Sequence, residues 1–205
     1  MKHILCFGDS NTHGYIPGGG RYDDNTRWTK VLGKLLGPDF DIIEEGLNGR
    51  TSSFDDPLEP FKNAMDYIIP CLKTHEPLDL IILMLGSNDM KERFSPSVEK
   101  IASSLHDLTQ IILEVSNTPV LLVSPILLGK NICQSVFRDS FSESAPEISR
   151  QLAGVIEKIA LHLGTDFLDA SLYADPSPED GLHLTPEGHQ ALAKAFYNKL
   201  ITMKI

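Results

Sequence analysis

Ile4-Leu5-Cys6-Phe7-Gly8-Asp9-Ser10-Asn11-Thr12-His13-Gly14 is the stretch on which the fold turns. Four apolar residues stop abruptly at a small and polar segment, the pattern of a parallel strand covered on both faces. Open α/β sheets gather their ligands at the carboxyl ends of such strands. Ser10 stands at that edge. A serine hydroxyl is a weak nucleophile unless a base, a group that orients the base and donors for a developing oxyanion accompany it.

Outward from this strand, strand and helix alternate. Pro17-Gly18-Gly19-Gly20 breaks regular structure, and Trp28, Val31, Leu32, Leu35 and Leu36 fall at helical spacing before Gly37. Phe40, Ile42 and Ile43 predict a second strand, whose trailing loop carries Gly49. Phe61, Ala64, Met65, Ile68, Ile69 and Leu72 predict a helix, and Leu78 to Leu85 a central strand. A helical period from Val98 to Val115 leads to a fourth strand at Pro119 to Val123. Residues 126–145 lack a clear period and suit a lid or an interface loop. Ser144-Ala145-Pro146-Glu147 reads as a capping box opening a helix with Ile148, Leu152, Val155, Ile159 and Leu163 inward. A fifth strand at Phe167 and Leu168 precedes a last helix capped by Thr185-Pro186. Five βα units predict an α/β three-layer, flavodoxin-like sandwich: a single domain over residues 1–205 with a five-stranded parallel sheet in order 2-1-3-4-5 and helices on both faces. That order brings residues 10, 49, 88, 180 and 183 to one crevice.

The base candidate is His183, in Asp180-Gly181-Leu182-His183. Three-residue spacing lets Asp180 accept from one imidazole nitrogen while the other faces a serine, as a Ser-His-Asp triad requires. Singly, each residue has a plainer role: Ser10 a turn or cap, His183 a loop histidine, Asn88 a turn residue. Asp9 points to the opposite strand face from its neighbour and suits structural hydrogen bonding. G-x-G-x-x-G, the phosphate loop and G-x-S-x-G are all absent, so neither a nucleotide site nor the usual α/β-hydrolase elbow is indicated. The seven histidines form no H-E-x-x-H motif, and no metal is expected.

The chain has 205 residues, 41% of them hydrophobic and 7% aromatic, with a mean hydropathy of −0.09, as in ordinary globular proteins. A net charge of −10 argues against a nucleic-acid partner, which needs clustered Lys and Arg. No apolar run approaches a bilayer span, so no membrane association is expected. Cys6, Cys71 and Cys133 are widely spaced and odd in number, which suits reduced thiols and the cytoplasm. The opening apolar run is too short for a removable signal.

Gly8-Asp9-Ser10, Gly49 in Gly46-Leu47-Asn48-Gly49-Arg50-Thr51, Gly86-Ser87-Asn88-Asp89 and Asp180-x-x-His183 occur in this order across residues 4 to 190. Together they resemble the SGNH hydrolases, or GDSL esterases, most closely the arylesterase and acyltransferase branch. The resemblance implies a cofactor-free serine esterase with Ser10, Asp180 and His183 catalytic, and with the Ser10 and Gly49 N–H groups and the Asn88 side chain as oxyanion donors. Many members carry Leu after Gly-Asp-Ser. Here it is Asn11, with His13 and Tyr15 close behind, and these three are expected to line a polar acyl or alcohol pocket. The substrate expected is a small-molecule ester with a short acyl chain, with alcohols or peroxide as rival acceptors; a sugar O-acetylesterase is the nearest alternative. The chain could form a homo-oligomer. A non-catalytic ligand-binding or partner-binding protein is the rival from another class.

Overall fold

A computed structural model describes all residues, 1–205. Strand β1 (Lys2–Gly8) lies between β2 (Phe40–Gly46) and β3 (Leu80–Met84), followed by β4 (Val120–Ser124) and β5 (Asp166–Asp169). All four pairings are parallel, in order β2-β1-β3-β4-β5. Side chains alternate across a strand. Leu5 and Phe7 therefore join Ile81, Leu83 and Leu122 under α3 (Ala64–His75), α4 (Val98–Val115) and α5 (Ala145–Leu163). Ile4 and Cys6 join Ile82, Met84 and Leu121 under α2 (Trp28–Leu36) and α6 (Pro186–Met203). The expected three layers and strand order are those observed.

Helix edges depart from the sequence pattern in three places. Phe61 lies outside α3, 94% exposed and at φ 65°, because the helix starts only where Asn63 caps it by accepting from the Met65 N–H. Leu35 and Ile69 face outward although their spacing is helical. The capping box at α5 does not form: Ser144 has helical backbone angles, its hydroxyl pairs with that of Ser142, and Glu147 binds Arg150 instead. Ile156 is fully buried on that helix and was absent from its predicted inward set. Thr185, by contrast, caps α6 as expected, accepting from the Gly188 N–H.

Residues 126–145 pack in part against the loop that carries Asp180. Ile132 and Phe141 are buried, the Gly129 N–H donates to the Gly181 carbonyl, and the Asn131 amide donates to the Pro178 carbonyl.

His189 on α6 lies under this scaffold, fully buried, accepting from the Trp28 N–H at Nδ1 while Nε2 has no partner. Burial, aided by Arg27 and His183, holds its pKa down at about 4, against an ordinary 6.5. On acidification from about pH 6.5 the unfolded chain takes up this proton first, so stability falls until about pH 4, by about 3 kcal/mol. Buried Asp89, pushed up to about 6 by desolvation, acts with the opposite sign over much of that window. His189→Gln keeps the Asp89 effect but lacks the titrating ring. Urea unfolding at pH 7 and pH 4.5 should show a smaller acid loss in the variant than in wild type; equal losses would contradict this assignment.

Candidate functional site

The turn after β1 is tight. A Cβ on Gly8 would stand 2.1 Å from Thr12 Oγ1 and 2.8 Å from the Met84 carbonyl oxygen, so only glycine fits where the strand meets α1 (Ser10–His13). Asp9 caps that turn by accepting from the Asn11 N–H at 2.9 Å. Ser10 follows, 5% exposed. Its Oγ lies 2.9 Å from His183 Nε2, and His183 Nδ1 lies 2.7 Å from Asp180 Oδ2. Residues 173 apart in sequence thus form one hydrogen-bonded chain.

The His183 loop is fixed from its own backbone. Gly181 adopts φ 70°, a conformation costly for residues with a Cβ. The turn lets Asp180 Oδ1 accept from the Leu182 and His183 N–H groups at 2.9 and 3.0 Å. Burial raises the Asp180 pKa, but the hydrogen bonds from His183 and its charge outweigh this and hold the carboxyl below its ordinary range. Tyr15 and Phe137 flank the imidazole, ring centroids 4.5 and 5.5 Å away.

A second arm comes from the loops after β2 and β3. Buried Arg50 donates from Nη1 to the Gly8 and Glu45 carbonyls, tying the ends of β1 and β2 together. Its own carbonyl accepts from Asn88 Nδ2 at 3.1 Å. An amide nitrogen carries two hydrogens, so one remains for another acceptor. Gly49 sits beside this arm at φ 81°. Ser10, Gly49, Asn88 and His183 line one cavity of about 200 Å³.

Among the three expected pocket residues only Tyr15 lines this cavity. Asn11 does not: its Nδ2 donates to the Leu182 carbonyl at 3.2 Å and its Oδ1 accepts from the Leu184 N–H at 2.9 Å, so both polar ends hold the histidine loop. His13 is outside the cavity too, half-buried beside Gly46, whose Cα packs against the His13 backbone. The sequence reading missed Asn48, Glu59 and Lys91, which also line the cavity, beside Phe137 and Phe141 from the 126–145 stretch expected as a lid or an interface loop. It also missed a cluster of possible metal ligands, Glu45, Cys71 and His75, whose ligand atoms all lie within 4.8 Å of one another. The spacing of Cys71 and His75 on one helix face was its available signal. His75 Nε2 pairs with Glu45 at 3.1 Å, and burial pushes the Cys71 thiol up to about 12, which favours the neutral thiol over a metal-binding thiolate.

Solved structures of known proteins share this architecture over the whole chain. The inhibitor-bound aryl esterase of M. smegmatis is 35% identical with a TM-score of 0.93, over 98% of this chain and 99% of that one. A carbohydrate acetylesterase from Sinorhizobium meliloti is 33% identical with a TM-score of 0.94, over 99% of this chain and 100% of that one. A lipase/acylhydrolase from Enterococcus faecalis, 17% identical over 99% of this chain and 97% of that one with a TM-score of 0.74, shares the fold. No match was found among curated proteins. The model of the GDSL-like lipase/acylhydrolase family matches residues 6–191. A serine, a histidine and an aspartate in one hydrogen-bonded line, on the fold and with the sequence of these esterases, place the chain in the GDSL-like lipase/acylhydrolase family, as a carboxylic ester hydrolase.

Proposed function

We propose that the protein hydrolyses small esters of short acyl groups, acetyl above all, through a Ser10 acyl-enzyme without a cofactor. The observation that carries this is the relay of 2.9 and 2.7 Å from Ser10 through His183 to Asp180. His183 Nε2 takes the Ser10 proton as Oγ attacks the carbonyl carbon, and then gives that proton to the leaving alcohol. Asp180 fixes the tautomer with Nδ1 protonated and stabilises the imidazolium. The Ser10 and Gly49 N–H groups and the second Asn88 hydrogen receive the oxyanion. Water then attacks the acyl-enzyme with His183 as base. Alcohol or peroxide entering the same cavity would take the acyl group instead.

Two features support a short acyl group: a cavity of about 200 Å³ and a wall closed by buried Phe141. A carbohydrate O-acetyl ester is the favoured second reading, supported by the polar side chains Asn48, Glu59 and Lys91 in that cavity and by the likeness to the S. meliloti carbohydrate acetylesterase. A non-catalytic binder on the same fold would show no burst of nitrophenol from nitrophenyl acetate. Three cysteines without a disulfide suit the cytoplasm.

Ser10→Ala should abolish nitrophenyl acetate turnover and labelling by a serine-directed phosphonate while the Tm stays within a few degrees. Asp180→Asn should lower kcat about 10³- to 10⁴-fold by imposing the wrong tautomer. Activity above a tenth of wild type in either protein would remove that residue from its role.

Asn88→Ala should lower kcat by about 10²- to 10³-fold, or about 2.7 to 4 kcal/mol, with KM for a small ester little changed, since the interaction strengthens only as charge develops. Asn88→Asp should be slower still because a carboxylate repels the oxyanion. Comparable losses of Tm in both variants with kcat intact would make Asn88 purely structural, a holder of the Arg50 carbonyl. Across an ester series, kcat/KM should be highest for acetate and propionate; a higher value for octanoate would sink the short-chain assignment.

A further inference from the structure

The Gly49 N–H assigned above to the oxyanion has no acceptor within the protein, so what aims it is the turn that carries it. That turn runs from Leu47 to Arg50. It is closed by the Arg50 N–H on the Leu47 carbonyl at 3.0 Å, with Gly49 at φ 81° where a type II turn needs a positive angle. Beyond the turn, two neighbouring side chains from the loop after β3 grip the backbone. Asn88 Nδ2 donates to the Arg50 carbonyl at 3.1 Å, and Asp89 Oδ1 accepts from the Ser52 N–H at 2.9 Å. Thr51 between them faces the other way, its N–H donating to the Lys62 carbonyl and its carbonyl accepting from the Ala64 N–H. Residues 50–52 are thus held as a strand is held between two others, with an amide and a carboxylate standing in for one neighbour's N–H and carbonyl.

Asp89 is fully buried and, unlike Asn88, lines no part of the cavity. Its Oδ1 also accepts from the Ser52 hydroxyl, which stands 2.6 Å from Ser104 Oγ on α4, and Ser104 in turn bonds Ser53. Oδ2 has no partner. A buried carboxyl with one oxygen unpaired costs stability, where an apolar side chain would fill the space without that cost. Packing alone therefore does not account for it. What the carboxyl supplies is an acceptor fixed at the level of residue 52, close behind the Gly49 turn. We propose that Asp89 is a positioning residue for the oxyanion donors: by holding Ser52 it sets the Gly49 turn and the Arg50 carbonyl against which Asn88 is aimed. This rests on the esterase assignment above and deepens it. The consequence falls on kcat, because the donors act most strongly as charge develops, and a displacement of about 1 Å in a support can cost about 100-fold.

Asp89→Ala should lower kcat for nitrophenyl acetate by about 10- to 100-fold, with KM changed by less than about twofold. Asp89→Asn can turn its carbonyl oxygen to the Oδ1 position and should recover kcat to within about threefold of wild type. Ser104→Ala removes the hydroxyl behind Ser52 but leaves both grips on the backbone, so its Tm should fall while kcat stays. In the phosphonylated wild type the Gly49 amide proton, bonded to the phosphonyl oxygen, should resonate downfield of its position in the free enzyme. Most of that shift should be lost in phosphonylated Asp89→Ala. Should the alanine variant fail to fold, Asp89→Ser carries the same measurements, since its shorter side chain cannot reach the Ser52 N–H. The assignment is overturned by a folded Asp89 truncation with kcat within about threefold of wild type, by an unchanged Gly49 shift, or by an equal kcat loss in Ser104→Ala. Absence of nitrophenyl acetate turnover and of phosphonate labelling in the wild type is a separate result, which sinks the esterase assignment and the role of Asp89 with it.

Discussion

The Asn11 side chain is the clamp on which the site depends. One amide group bonds the Leu182 carbonyl and the Leu184 N–H, the backbone on either side of His183. Residues near the two ends of the chain are thereby held in one register, with the imidazole at hydrogen-bond distance from Ser10. Trp28 completes the clamp by donating its indole N–H to the Asn11 carbonyl at 3.0 Å. Trp28 is itself fully buried against Phe196 on α6, so the apolar packing of α2 on α6 is transmitted to the serine turn. Proximity worth many kcal/mol to a reaction requires such supports, because small displacements of the reacting groups are expensive.

The other half of the site hangs on Arg50. A guanidinium presents several donors in a rigid fork. Here it binds the last carbonyl of β1 and one near the end of β2, while its Cζ lies over the Phe7 ring, 4.1 Å from the centroid. Desolvation lowers its pKa from the ordinary value, partly offset by Glu45. Asn88 then reads the position of β3 against the Arg50 carbonyl. Three strand ends are thus referred to one cation, and a cavity at those ends inherits their rigidity.

Much of this was legible in the sequence, for a physical reason. Buried parallel strands are continuous apolar runs, and amphipathic helices carry their own period, so the layers and strand order follow from pattern. Ser10, Asp180 and His183 stand out because their residue types and spacing have few joint explanations. Asn11 was placed in the pocket because polarity beside a nucleophile suggests substrate; the partner that claims its amide lies 171 residues away, beyond any local pattern. Glu59 and Lys91 look like solvated charges in a polar loop. Only the fold reveals that one of them is almost fully buried. Phe137 and Phe141 come from a stretch without periodicity, since its contacts run to the Asp180 loop instead of along its own backbone.

Two carboxylates compete for the role beside Ser10, and their environments separate them. Asp9 is adjacent in sequence and fully buried; desolvation pushes its pKa up, against the Asn11 N–H and the His183 charge. Its job at 2.9 Å is to close the turn that presents the hydroxyl. Asp180 is remote in sequence, receives two backbone N–H groups and the imidazole, and is held low. The carboxylate that meets the ring is therefore the one whose surroundings favour its ionised form. The surroundings push the two acids in opposite directions. Here the distances agree, because only Asp180 reaches the imidazole nitrogen opposite the one that faces Ser10.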